Sequence, residues 1–166
     1  MKSATRQCLI MQGFACDSDP SIAGAAAWLR FTPVLSTLTI VTGTALRSPA
    51  ILWAFAVVAA LGASGWNPFD YVFDVAVRHL VGAAPLPANP LPRRFAMAVA
   101  AVWSALAGVL MALGMNWLGV IAGGMLALAG ATVATTHFCV GSWLYGVLWR
   151  RKTPQLQGHS QAGGTQ

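Results

Sequence analysis

The chain has 166 residues, of which 57% are hydrophobic and only 8% are charged. An average soluble domain carries about 25% charged residues, so this chain has too few charged groups to cover the surface of a soluble fold. The composition likewise excludes a disordered chain, and three cysteines are too few for a disulfide scaffold. A small integral membrane protein is the class that remains.

Long uncharged stretches predict four membrane-spanning helices, and hence an all-α integral membrane protein. Residues 95–149 contain no Asp, Glu, Lys or Arg. One span needs about 20 apolar residues, so this stretch is long enough for two, with a natural break from Gly114 to Asn116. Pro49 marks the start of an earlier span, because proline costs little in the first turn of a helix. The predicted spans, arranged as two hairpins, are 29–46, 49–66, 95–113 and 117–137.

The connection between the second and third spans contains a pattern typical of an interfacial helix. Asp70, Asp74 and Arg78 are spaced by four and form one polar stripe on an otherwise apolar segment. We therefore expect a short amphipathic helix over residues 68–81, lying on the membrane surface. The remaining division of the chain is a cytoplasmic N-terminal tail (1–27), a membrane domain (28–149) and a flexible cytoplasmic C-terminal tail (150–166).

The distribution of basic residues predicts the orientation. With four spans, both termini and the central connection lie on one side, and that side holds nine of the ten Lys and Arg residues. By the positive-inside rule, both termini are cytoplasmic. This bias also accounts for the net charge of +6 without any nucleic-acid partner. Only Arg47 lies on the other side; the nine are Lys2, Arg6, Arg30, Arg78, Arg93, Arg94, Arg150, Arg151 and Lys152.

A short internal similarity accompanies this topology. Arg30 and Phe31 precede the first span, and Arg94 and Phe95 precede the third. Each pair lies on the cytoplasmic side and is followed by a helical hairpin. This is the pattern of two parallel repeats related by an axis along the membrane normal.

Small residues recur every four positions on the third and fourth spans. Such residues let helix backbones approach closely. The pattern has two interpretations, namely packing of the third span on the fourth, or an interface with a second copy or a partner protein. The residues that define it are Ser104, Gly108, Ala112, Gly119 and Gly123.

His137 is the strongest candidate for ligand binding, because an ionisable group within a span is by default a functional hypothesis. Ala134 and Gly141 leave space over its ring if the helix continues, as a haem or chlorophyll-type ligand would need. The alternative is a histidine at the headgroup level that is bonded to a carbonyl or to water. Cys139 points about 200° away from His137 on a continuous helix, so the two could share a metal only if the helix breaks.

No catalytic arrangement is present in the sequence. The carboxylates Asp17, Asp19, Asp70 and Asp74 all fall in predicted cytoplasmic segments, so no span carries an acidic proton relay. Nucleophile-elbow, P-loop and dinucleotide-binding motifs are absent. The sequence therefore favours a protein that is not an enzyme.

Several motifs together resemble a family of bacterial four-helix membrane proteins known as a domain of unknown function. The resemblance covers about residues 28–148, and it implies a multi-pass protein of the bacterial cytoplasmic (inner) membrane. The motifs are Arg30-Phe31-Thr32, Pro68, Pro92-Arg93-Arg94-Phe95-Ala96, Phe138-Cys139-Val140-Gly141 and Tyr145.

In that family the last motif usually reads F-C-x-G-C, which is a C-x-x-C dithiol. In this chain Ser142 stands in the place of the second cysteine. One cysteine cannot form an intramolecular disulfide, so the resemblance implies that Cys139 lacks its resolving partner, unless Cys8 or Cys16 substitutes.

Two functions follow from these features. The first is a non-catalytic accessory or structural subunit of a larger membrane complex, packed against other membrane proteins. If that complex is photosynthetic or respiratory, a pigment or haem could lie near His137. The second is a membrane thiol-redox or sulfur-handling protein that uses Cys139. In both cases the lipid bilayer is the surrounding partner.

Overall fold

The computed structural model describes residues 3–14 and 21–149, and within these ranges the chain is helical with no β-strand. The predicted all-α class is therefore confirmed for the described residues. The helices are α1 (Ser3–Met11), α2 (Ser21–Ala25), α3 (Phe31–Ala45), α4 (Pro49–Ser64), α5 (Pro68–Val72), α6 (Arg78–Val81), α7 (Leu91–Ala112), α8 (Asn116–Thr136) and α9 (Val140–Trp149), with a 3-10 turn at Trp28–Arg30 and a π-helical turn at Phe73–Val77.

Two helices, α7 and α8, are long and apolar enough to cross a membrane. A third crossing is present if α4 and the segment 68–81 form one bent span, and the bend between them is 86°. With 15 and 16 residues, α3 and α4 are each shorter than the roughly 20 residues that a straight span needs. The structure thus shows two or three candidate spans where the sequence predicts four.

The four longest helices pack as a bundle, in which α4 lies mainly against α7 and α3 against α8. Threonine and glycine form the contact between α3 and α8. A β-carbon at Gly130 would meet the hydroxyl oxygen of Thr37, and one at Gly123 would meet that of Thr44. The two pairs are seven residues apart on each antiparallel helix, as expected where small residues allow close approach.

The helix ends differ from the prediction in places with a local cause. The third long helix begins at Leu91 instead of residue 95, because Pro92 falls in its first turn, where the missing N–H is not needed. Within the predicted N-terminal tail, α1 is helical, and Leu9 and Phe14 pack on Leu29 in a small apolar cluster. The predicted flexible tail, 150–166, lies outside the described residues.

The segment 68–81 is helical, but its π turn changes the predicted side-chain pattern. Asp70 and Asp74 do not pair along the helix towards Arg78. Instead, Asp70 accepts hydrogen bonds from Thr32 and from Asn89, and Asp74 accepts one from the backbone N–H of Leu86 at 3.0 Å. The acidic side of this helix therefore fixes the proline-rich connection to α7 and the start of α3.

Candidate functional site

The chain breaks between α8 and α9, at the position where the sequence offered either a continuing helix or a turn. His137 has a φ of +60°, in the left-handed region, and caps α8 through its N–H to the carbonyl of Val133. The next helix begins three residues later. Cys139 lies just before it, and its backbone carbonyl accepts a hydrogen bond from the N–H of Trp143 at 2.9 Å, which places Cys139 at the N-terminus of α9.

His137 is buried, with 4% of its surface exposed, and is bonded on two sides. Arg30 donates from Nε to His137 Nε2 at 2.8 Å, and the side-chain amide of Gln12 donates to the His137 carbonyl at 2.5 Å. Burial lowers the pKa of His137, and the positive charges of Arg30 and Arg93 lower it further. The imidazole is therefore neutral at pH 7 and accepts through Nε2.

The contacts of His137 determine what would have to move for a haem or pigment to bind at the predicted site. Arg30 uses the Nε2 lone pair, so ligation through that nitrogen would require Arg30 to move. Gly141 does not lie over the imidazole ring. A β-carbon on it would come within 2.7 Å of the Ala96 β-carbon, so Gly141 allows α9 to approach α7. The break removes the 200° separation of His137 and Cys139, but the described residues contain no group of three metal-ligating side chains.

Most of the small residues lie between helices of this chain. Ser104 is fully buried and donates to the Leu52 carbonyl of α4 at 2.8 Å. The three glycines of the pattern lie against neighbouring side chains, whereas Ala112 is exposed on the outside of the bundle. A β-carbon at Gly108 would come within 2.5 Å of Trp53, at Gly119 it would meet Met111, and at Gly123 it would meet Thr44.

A cavity of about 330 Å³ lies between α3, α4, α7, α8 and α9, and it includes Cys139 in its wall. One end is polar and is formed where the helices begin or end. The other end is apolar and lies deeper in the bundle. The polar end includes Gln12, Thr32, Arg93 and Cys139, and the apolar end includes Ile40, Phe55, Trp103 and Met125.

The cavity opens on the outer, apolar surface of the bundle. Five of its lining side chains are between 37% and 55% exposed. They come from α7, α8 and α9, so the opening lies on this side of the molecule. A molecule dissolved in lipid could enter by this route. The five are Val99, Trp103, Met125, Val140 and Leu144.

Arg93 is the dominant charge at the polar end. Only 6% of its surface is exposed, and its guanidinium lies over the ring of Phe14 at 5.7 Å from the ring centre. Among the described residues, its Nη2 has no hydrogen-bond partner. Asp70 and Cys139 are close enough to interact with Arg93 electrostatically.

The comparison with known families gives one result for this chain. The model of a domain of unknown function, DUF4395, matches residues 26–150, which is more than half of the sequence. The chain belongs to the DUF4395 family. This confirms the expected membership of a family of unknown function, over nearly the same range. Neither the curated proteins nor the solved structures give a match.

Within this DUF4395 domain, the sequence pattern indicates Cys139 and His137 as candidate site residues, but it does not indicate Arg93. Arg93 and Arg94 are adjacent and chemically identical, yet Arg94 turns away and donates to the Ala63 and Ser64 carbonyls at 3.0 and 2.6 Å. Neighbours on a helix point about 100° apart, and the proline-bounded start of α7 fixes the register. Which arginine is buried depends on that register and on the neighbouring helices.

Proposed function

We propose that this protein is a membrane thiol protein in which Cys139 reacts with a substrate that reaches it through the cavity. The observation that carries the proposal is the position of Cys139, which belongs to the wall of a cavity open to the apolar surface. Cys139 also lies just before the N-terminus of α9 and close enough to the Arg93 guanidinium to interact with it electrostatically.

The proposed reaction is thiol–disulfide exchange with a small organic disulfide. The Cys139 thiolate attacks one sulfur of the disulfide, a new sulfur–sulfur bond forms, and the original bond breaks. The departing thiolate takes up the proton that Cys139 released, so the oxidising equivalent passes to the protein without another reactant. Ser142 supplies no second thiol, and a thiol of another molecule therefore completes the cycle by attacking the mixed disulfide.

The test uses 4,4′-dithiodipyridine, an apolar disulfide that releases a coloured thione on exchange. The protein is the full chain in lipid nanodiscs with Cys8→Ser and Cys16→Ser, so that Cys139 is the one remaining cysteine. We expect one thione per chain, and none after the further change Cys139→Ser. A folded protein in which Cys139 remains unreacted until denaturant is added would overturn the proposal.

The accessory-subunit function remains a second proposal with a separate test. The small-residue helix faces are one reason to expect a partner protein. Most of those residues pack inside the chain, so they offer little support for such a partner. The exposed apolar faces of the long helices still have to be covered by lipid or by protein. Native mass spectrometry of the protein from its own membrane would show companion polypeptides or a cofactor mass if it is a subunit, and a bare chain otherwise.

We also propose the finer topology, with four crossings in a bacterial inner membrane and both termini in the cytoplasm. The distribution of Lys and Arg supports it, and so does the pairing of α3 with α8 and α4 with α7, which two parallel hairpin repeats would produce. Labelling of single cysteines placed at Arg47 and Arg78 by an impermeant reagent tests it. Arg47→Cys is expected to react from the periplasm and Arg78→Cys only from the cytoplasm.

A further inference from the structure

Two of the residues that line the cavity each carry a buried polar atom that no part of the described chain satisfies. These atoms are Arg93 Nη2 and Ser36 Oγ, both in residues that are more than nine-tenths buried. A buried polar group without a partner costs about 1–3 kcal/mol, and more if it is charged. Two such atoms in residues that line one cavity therefore point to a bound molecule with a polar group of its own.

Thr32 and Gln12 at this end already make hydrogen bonds, which limits what the bound molecule must offer. Thr32 donates to Asp70, and Gln12 donates to the His137 carbonyl. The remaining groups are the Arg93 guanidinium, the Ser36 hydroxyl and the Cys139 thiol. Because the guanidinium is positively charged and binds carboxylate or phosphate oxygens best, the complementary group is an anion.

The shape of the cavity defines the rest of the molecule. Arg93 and Trp103 are ten residues apart on α7, which corresponds to about 15 Å along the helix. Beyond the polar end, the wall consists of apolar side chains such as Ile40, Phe55 and Met125. A volume of about 330 Å³ is at the lower end of small-molecule pockets, so it suits one narrow chain and not a lipid with two.

We propose that this cavity binds a single-chain amphiphile from the bilayer, with its anionic head group held by Arg93 and Ser36 and its hydrocarbon chain extending towards Trp103. The opening between α7, α8 and α9 on the apolar surface provides the entry. This goes beyond the proposed thiol function, because binding requires Arg93 and the cavity and no reaction at Cys139.

The experiment measures binding to the full chain in phosphatidylcholine nanodiscs by native mass spectrometry. The probes are dodecanoate, dodecyl phosphate, dodecanol and dodecyltrimethylammonium. We expect one anionic probe per chain, bound at least tenfold more tightly than the alcohol or the cation. Tighter binding of dodecanoate or of dodecyl phosphate identifies the head group as carboxylate or phosphate. Equal binding of all four probes would overturn the proposal.

Matched variants test whether dodecanoate binds at Arg93 and Ser36 in the cavity. Arg93→Gln and Arg94→Gln each remove one positive charge from the start of α7, but only Arg93→Gln is expected to weaken dodecanoate at least tenfold. Ser36→Ala should weaken it several-fold. If Arg93→Gln does not fold, Ala129→Leu fills the cavity without touching Arg93 and should block the probe. A folded Ala129→Leu protein that binds dodecanoate as the wild type does would contradict the proposal.

The two proposals fail separately. Release of the thione depends only on the reaction at Cys139, whereas the mass of a bound dodecanoate is measured on the wild-type chain without any reaction at that thiol. An unreactive Cys139 with dodecanoate bound would reject only the thiol function. A reactive Cys139 without selective binding of anions would reject only the amphiphile site.

Discussion

Arg30 and Arg94 occupy corresponding places, each one residue before a phenylalanine at the start of a helix, and each binds the end of a helix from the other hairpin. Arg30 precedes α3 and bonds His137 just beyond α8, whereas Arg94 lies in the first turn of α7 and bonds the last carbonyls of α4. The chain then leaves both helix ends through a residue with positive φ, Gly65 after α4 and His137 after α8. The proposed repeat therefore extends from the sequence pattern to the contacts.

The first prediction concerns these two arginines. Charged hydrogen bonds contribute about 1.5–3 kcal/mol each when buried, and because both side chains are partly exposed, we expect the lower part of that range. Arg30→Ala and Arg94→Ala should each lower the free energy of unfolding by about 1.5–2 kcal/mol. The double variant should be additive within about 0.5 kcal/mol, because the two share no partner.

The measurement is equilibrium unfolding in mild detergent, with Arg78→Ala as the control. Within the described part of the chain, the Arg78 side chain contacts the neighbouring His79 at 3.5 Å, on the exposed side of the segment 68–81. Its removal should change stability by less than about 0.5 kcal/mol. A loss equal to that of Arg94→Ala would show that charge, and not these bonds, is responsible.

The second prediction is a pH dependence due to His137. Because burial and the two arginines hold its pKa below the ordinary value of about 6.5, the unfolded chain binds a proton first as the pH falls. Stability should therefore be full above about pH 6.5 and decrease below it, by at most about 1.4 kcal/mol per pH unit, until the folded protein also protonates.

The check is unfolding between pH 5 and pH 7 for wild type, His137→Asn and His79→Asn. Asparagine tolerates the left-handed backbone at residue 137. We expect the decrease to disappear in His137→Asn and to persist in His79→Asn, since His79 is exposed. The same slope in all three proteins would assign the pH dependence to other groups.

The sequence predicted the helical class well, because uncharged runs bounded by Pro49 and Gly114 depend only on local chemistry. The packing of α1 could not be found in this way. Leu9 belongs to an apolar run of only three residues and Phe14 stands outside it, so their role is apparent only when α1 meets Leu29. The break at His137 has the same origin, because a positive φ there is stabilised by Arg30 and Gln12, which are distant in the sequence.

The third prediction tests the contact between α9 and α7. In Gly141→Ala, the new β-carbon would lie 2.7 and 2.8 Å from the β- and α-carbons of Ala96, so α9 must move. Overpacking of this kind costs roughly 1–3 kcal/mol, and displacement of α9 would also move Cys139. The thermal midpoint should fall, and exchange with 4,4′-dithiodipyridine should change in rate.

Gly124→Ala is the matched control for this change. A β-carbon at Gly124, within α8, would meet nothing within 4 Å. Alanine is favoured over glycine in a helix by roughly 0.5–1 kcal/mol, so this variant should be equally or more stable. If both variants had the same thermal midpoint, the close approach of Gly141 to Ala96 would not limit stability.

The last prediction restores the dithiol that the family resemblance implies. Cys139 lies just before α9 and Ser142 in its first turn. Side chains three apart on a helix are about 5–6 Å apart at their β-carbons, and a disulfide needs about 3.5–4.5 Å, so a small movement of Cys139, which is outside the helix, would let the two bridge. Ser142 is fully buried and donates to the Pro92 carbonyl at 3.2 Å. In Ser142→Cys, the new thiol should attack the mixed disulfide at Cys139 and close an intramolecular bond.

The release of thione from 4,4′-dithiodipyridine measures this closure. In the Cys8→Ser, Cys16→Ser background, the yield should rise from one to two thiones per chain, with no pyridyl group retained on the protein. Ser104→Cys is the control, because Ser104 lies in the middle of α7 against α4, away from the start of α9. It should yield no intramolecular disulfide with Cys139. Retention of the pyridyl group by Ser142→Cys would mean that the start of α9 holds the two sulfurs apart, so that this fold works through a single thiol.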